Sequence, residues 1–170
     1  RASTTLSRDQ NGHPKFVITM AENITQQKRV DRILADNKNK LHSLVENAEY
    51  SIVTTDRRHT ILLINSKLSD ILFTQTGILV ETGFNLLDIL PAAFHKDYLD
   101  IHKRAFTGEQ FVFEKTFTVN GRRSDIEIVV TPVKEENGLI RSVSIFGHDI
   151  SSRKKNEEEL IKAREDAEAS

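Results

Sequence analysis

The chain contains no cysteine and no tryptophan. Without cysteine it can form no disulfide, thiolate metal site, iron–sulfur cluster or cysteine nucleophile, and no flavin photoadduct on a thiol. A chain without cysteine suits any redox compartment, so this absence does not place it. Charge of one sign is lacking too: 24 Lys and Arg stand against 25 Asp and Glu, a net charge of −1. A basic footprint for nucleic acid or an anionic membrane surface is therefore missing. The longest purely apolar runs are four residues, as in Ile61–Ile64, too short to span a bilayer. The chain opens on Arg1 with no methionine and no signal-peptide pattern, so a segment of a longer polypeptide is expected. What is present is 170 residues with 38% apolar content, enough to bury a core in one domain plus flanking pieces.

An internal repeat organises the chain. Residues 11–34, NGHPKFVITMAENITQQKRVDRIL, align without gaps to residues 137–160, NGLIRSVSIFGHDISSRKKNEEEL, at an offset of 126. Asn11/Asn137, Gly12/Gly138, Val17/Val143, Ile24/Ile150, Lys28/Lys154 and Leu34/Leu160 are identical pairs. Each copy reads as a glycine turn, a β-like run, a polar cap and a charged helix. Residues 1–24 are then expected to be the last strand or strands of an upstream domain, whose sibling follows.

From Thr25 to about Ala48 the chain has no Gly or Pro and is rich in helix formers, which predicts a helix. Tyr50–Asp56 and His59–Ile64 read as strands around the polar turn Asp56-Arg57-Arg58. Asn65 is placed to cap a short helix, Ser66–Phe73. Asn85–Leu90 reads as a helical turn stopped at Pro91, and Ala92–Phe106 as a longer helix ended by Thr107-Gly108. Three strands follow: Gln110–Val119, Arg122–Val133 and Leu139–Asp149, joined at Asn120-Gly121 and Glu135-Glu136-Asn137-Gly138. Ser151–Ser170 is a charged helix with Ser151 placed to cap it. Consecutive hairpins exclude a doubly wound parallel sheet. The order predicts an α+β domain with a five-stranded antiparallel sheet and helices on one face. The expected divisions are 1–24 as an upstream tail, 25–48 as a linker helix, 49–150 as the domain and 151–170 as an exit helix.

The first helix carries a heptad. Val30, Asn37 and Leu44 fall at a, and Leu34, Leu41 and Ala48 at d. A lone Asn at a fixes register in parallel two-stranded coils, so a homodimer through residues 25–48 is expected. The alternative is one helix packing a single apolar stripe on its own sheet, for which Ile33 and Val45 lie off the seam. The seam carried to the second helix, Asn156, Leu160, Ala163 and Ala167, is weak.

The stretch NGRRSDIEIVVTPVKEENGLIRSVSIFGHDISSRKKNEEEL resembles the C-terminal half of a PAS sensor domain. It has a turn Gly121, a strand ending in Pro132, the turn Asn137-Gly138, and Asp149-Ile150-Ser151 in place of the family's Asp-Ile-Thr. The resemblance covers residues 42–160 and, through Asn23-Ile24-Thr25, assigns residues 1–24 to a preceding PAS domain. The ending LIKAREDAEAS resembles the linker into the phosphoacceptor helix of bacterial sensor histidine kinases. The resemblance implies a PAS fold flanked by signalling helices, serving a sensory and dimerising role in a two-component kinase. Neighbouring PAS and kinase domains of the same chain would be its partners. The segment would be cytoplasmic and not itself an enzyme, without nucleic-acid or direct membrane contact.

It also implies a pocket beside the fourth helix and the strand after it. Its candidate lining is Phe94, Tyr98, Ile101, Phe111, Phe113, Phe117, Ile128, Val130 and Ile145; the competing reading is that these side chains fill the core. Asp149, Ile150 and Ser151 are the implied signal junction. His95 stands where haem-binding members carry their proximal ligand, although the facing strand QFVFEKTFT lacks the Arg of oxygen sensors. No cofactor is otherwise expected, and flavin is disfavoured by the missing cysteine. No metal-ligand spacing appears among the six His, and no nucleophile–base set or phosphate loop is present. The rivals to a ligand sensor are a ligand-free dimerising spacer, a haem-binding gas or redox sensor, and a module driving another output such as a nucleotide cyclase.

Overall fold

The computed structural model describes residues 2–119 and 121–168, so Asn120 of the expected Asn120-Gly121 turn lies outside the described residues. The chain divides into two compact units, residues 1–44 and 45–170. In the first, β1 (Ala2–Arg8) and β2 (Pro14–Ala21) form an antiparallel hairpin, followed by α1 (Thr25–Glu46), whose last two residues belong to the second unit. Val30, Leu34, Leu41 and Leu44 of the heptad are exposed, and so is Asn37. The helix stops at Glu46, two residues short of expectation, so Ala48 is not part of the seam.

The second unit holds β3 (Ser51–Asp56), β4 (Ile61–Ile64), α2 (Ser66–Thr76), α3 (Leu86–Ile89), α4 (Ala92–Phe106), β5 (Phe111–Val119), β6 (Arg122–Lys134), β7 (Ile140–Asp149) and α5 (Ser151–Glu168). Its five strands run β4-β3-β7-β6-β5, antiparallel throughout, so the last strand fills the centre of the sheet. This is the expected α+β architecture. Strand β4 begins two residues late because His59 has φ 65°, a left-handed conformation no strand accommodates. The Asp56 carboxylate imposes that turn by accepting from the Arg58 and Thr60 N–H groups at 2.9 and 2.8 Å. Helix α2 runs three residues beyond Phe73 and closes at Gly77, φ 72°, whose N–H returns to the Phe73 carbonyl.

Asn65 joins three elements. It is fully buried, and its Oδ1 accepts from the Ile52 and Leu68 N–H groups at 2.9 and 3.3 Å. Its Nδ2 donates to the Val45 and Tyr50 carbonyls at 3.2 and 2.8 Å. The expected cap of α2 therefore also ends α1 and starts β3.

The core forms two clusters. Val53, Ile61, Leu72, Val80, Leu86, Ile89 and Tyr98 pack around α2, α3 and the start of α4. Val80 lies in the segment between α2 and α3, and the Ser69 hydroxyl, which donates to its carbonyl at 2.9 Å, anchors it inside. Ala105, Ile128, Val130 and Val143 form the second cluster, with Phe106, Phe111 and Phe113 against it. Replacing Asn65 with Ala should remove the side-chain partner of two N–H groups and two carbonyls and cost about 3 kcal/mol or more. Scanning calorimetry should show the second unit melting about 10 °C lower.

Candidate functional site

A cavity of about 740 Å³ lies between the two clusters, inside the second unit. Helix α2 gives it one wall, because Lys67, Ile71 and Gln75 recur every four residues on the face that also carries Leu68. Helix α4 contributes Phe94, Asp97, Tyr98 and Ile101, again on one face. The sheet supplies the floor: Ser51 and Val53 from β3, Phe117 from β5, Ile126 and Ile128 from β6, and Ile145 and Gly147 from β7. Gly147 has no side chain to fill this space. A Cβ there would stand 2.6 Å from the Ser51 hydroxyl, which already donates to the Gly147 carbonyl at 3.1 Å.

The wall is apolar in its depth, with charges among its lining. Lys115 pairs with Asp97, Lys67 donates to the Glu49 carbonyl, and Arg122 and Asp149 also line the space. Of the expected pocket residues, Phe94, Tyr98, Ile101, Phe117, Ile128 and Ile145 line it. Phe111, Phe113 and Val130 do not. Phe111 and Phe113 stack on each other at 5.9 Å and pack over the end of α4 in the second cluster, where Val130 is fully buried. The same strand face thus splits between cavity and core: the end of α4 packs with Phe111 and Phe113, while its start meets Phe117 at the cavity, where the Phe94 and Phe117 rings stand 5.4 Å apart.

His95 is also absent from the wall. Its Nε2 donates to the Leu90 carbonyl at 2.7 Å, closing the turn before α4. Among the described residues no histidine lines the cavity, so that wall offers no imidazole to a haem iron, and the haem expectation finds no ligand in the predicted position. Among the described residues, no three His, Asp or Glu are grouped to hold a metal ion. Nor is any helix among them long and apolar enough to cross a membrane.

Sequence reasoning missed a buried polar cluster behind Tyr98. The Tyr98 hydroxyl lies 3.1 Å from Thr55 Oγ1 and 3.3 Å from His59 Nδ1. Burial pushes its pKa up to about 12, although Thr55 opposes the shift. The His59 and His102 rings stand 4.4 Å apart, and His102 Nε2 donates to the Asp56 carbonyl at 2.9 Å. Burial, then the facing His59, brings the His102 pKa down to about 4. Asp56 and Arg57 are the charged groups that face it from the β3–β4 turn. The only sequence signal was the Tyr98/His102 spacing of four on α4, which brings both to one helix face.

The junction after β7 departs from expectation in one respect. Ser151 does not cap α5 with its hydroxyl; its Oγ accepts from the Asp125 N–H at 2.9 Å. The cap is Asp149, whose Oδ1 accepts from the Ser151 N–H at 2.9 Å. The Ser151 hydroxyl holds the Asp149 carboxyl below the ordinary range. Burial opposes this, and the Ser151 N–H, Arg122 and His148 add to the lowering. Ile150 is buried, with its N–H on the Asp125 carbonyl at 2.8 Å. Lys154 pairs with Glu114 at 2.6 Å, and Arg153 approaches Glu114 and Glu127 at 3.6 and 4.0 Å, fastening the first turn of α5 to the sheet.

The folded state resists protonation of His102, whereas the unfolded chain accepts a proton near pH 6.5. Stability is therefore complete above pH 6.5 and falls as pH drops from there toward 4. Between pH 7 and pH 5 the loss should be about 2 kcal/mol. Urea melts should show it, and His102→Gln should flatten the dependence in that window.

No family model and no curated protein matches the sequence. Solved structures do. The PAS domain of Bordetella pertussis BvgS superposes with a TM-score of 0.57 at 17% identity, over 77% of this chain and 98% of that one. Phage VqmA, in a complex with DPO, gives 0.56 at 13% identity over 79% and 62%. Vibrio cholera VqmA, in a complex with ligand and DNA, gives 0.54 at 16% identity over 66% and 51%. At such identities the likeness is one of backbone, and with the strand order and helix placement above it shows that this chain has the PAS fold.

Proposed function

We propose that the second unit is a ligand-sensing PAS module of a multidomain sensor histidine kinase, itself without catalytic activity. The observation that carries this reading is the cavity. Its volume suits a small molecule, its depth is apolar, and a few polar groups stand ready to orient a guest. A ligand-free spacer would have a filled core in its place. The VqmA structures, one in a complex with DPO and one in a complex with ligand and DNA, lend the reading support.

The path from cavity to output is short. Gly147 and Asp149 line the cavity, and Asp149 caps α5. Ser124 and Ile126 also line it, on either side of Asp125, which binds both Ile150 and Ser151. A guest that shifts β6 against β7 moves the anchoring of the exit helix, a change of the kind that biases a two-state helical output. Asp149, Ile150 and Ser151 act here as coupling residues.

Mass spectrometry of small molecules released from the purified protein should identify one bound compound. Ile145→Phe, which fills the cavity, should abolish its recovery while circular dichroism stays unchanged; an empty wild-type protein that binds nothing from cell extract would sink the ligand reading. The exposed heptad is proposed as a parallel homodimer seam. Leu34→Glu or Leu41→Glu should each give a monomer in light scattering with the sheet intact, and a wild-type chain that stays monomeric at high micromolar concentration would exclude the seam.

A further inference from the structure

The repeat seen in the sequence persists in the hydrogen bonds. In the hairpin of the first unit, Leu6 pairs with Val17 and Arg8 with Pro14, with a register shift between Ser7 and Arg8. At the same offset of 126, Pro132 pairs with Val143 and Lys134 with Ile140, with the shift between Val133 and Lys134. The turns match as well. Asp9 N–H bonds the His13 carbonyl and Gly12 N–H the Asp9 carbonyl, as Glu135 does with Leu139 and Gly138 with Glu135. Gly12 and Gly138 share a left-handed backbone, φ 82° and 81°. The junctions repeat too. Asn23 Oδ1 accepts from the Thr25 N–H at 3.0 Å, as Asp149 Oδ1 does from Ser151, and Lys28 bonds Ile24 as Lys154 bonds Ile150.

One thing differs. β7 has a second neighbour, β3, along Ser142–Gly147, and its Val143 is fully buried. The corresponding edge of β2, Phe16–Ala21, pairs with no strand among the described residues, and Val17 is 60% exposed. A bare two-stranded hairpin is at best marginally stable in water. A shared bulge, turn and cap in one register specify the last hairpin of a complete sheet.

We propose that the free edge of β2 is the docking site for a β3-like strand of a second PAS unit, supplied by the same polypeptide upstream of Arg1. Residues 2–24 complete that unit, and α1 is its exit helix as α5 is that of the unit described here. The proposal is independent of the ligand reading.

The test compares this 170-residue chain with the natural polypeptide extended upstream. Hydrogen exchange should slow by about 100-fold or more in the extended chain at those Phe16–Ala21 amides that point away from β1. Val17→Asp should leave the melting of the 170-residue chain unchanged and lower one transition of the extended chain by about 10 °C or more; Val17→Ala should shift the same transition less. Equal exchange in both chains overturns the proposal, as does a Val17→Asp variant silent in the extended chain. Protection that appears in the 170-residue chain as its concentration rises also overturns it, because the occupant is then a second copy.

Discussion

The second unit depends on one amide side chain held out of water. Asn65 has two lone-pair directions and two N–H bonds, and four backbone groups, in α1, just before β3, in β3 and in α2, use them. A buried side chain with this capacity filled tolerates neither a shift of the backbone at Val45 nor a slip of β3, since either would strand polar groups in the core. The end of α1, the start of β3 and the start of α2 are thus settled together. The face that α2 turns toward the sheet follows from this, and with it one wall of the cavity.

The cavity exists because two core clusters meet imperfectly. The cluster under α2 and α3 is closed by Leu72, Leu86 and Tyr98, and the one under the end of α4 by Ala105, Val130 and Val143. Between them the sheet presents Gly147, where a Cβ would stand 2.6 Å from the Ser51 hydroxyl. Behind Tyr98 the packing changes character. Thr55, His59 and His102 form a polar cluster that secures the β3–β4 turn to α4 and keeps His102 neutral. The wall facing the cavity is therefore set on one side by apolar packing and on the other by hydrogen bonds, which do not rearrange in small steps.

The exit helix is tied to the sheet by short-range bonds of a different kind. Ile150 is buried, while Asp149 and Ser151 on either side satisfy the helix start and the β6 backbone. Exposed ion pairs such as Lys154–Glu114 contribute little stability individually, yet they fix direction. Glu114, which strand phase alone would treat as a dispensable outer-face residue, is one of these ties.

Local sequence determined the elements. Caps at Asn65 and Asn85, the stop at Pro91 and the alternation of β5 to β7 put α4 within its observed bounds and β5 to β7 within about a residue of theirs. The repeat of residues 11–34 in 137–160 was equally legible, since identity in register needs no folding to be seen. Tertiary structure alone decided which residues share a surface. Phe113 and Phe117 are alike in sequence and face, but only Phe117 meets the cavity, because Phe113 packs with the end of α4 in the second cluster and Phe117 against Phe94 at its start. His95 looked like a ligand until its ring was found on the Leu90 carbonyl, and His102 looked idle until the end of β3 and the turn after it brought Asp56 and His59 to it. Ser151 carried the right hydroxyl for a cap, but Asp125 from a strand 26 residues earlier claimed it. Propensity and periodicity act over a few residues along the chain, whereas the partner of a polar side chain is set by which distant element arrives beside it.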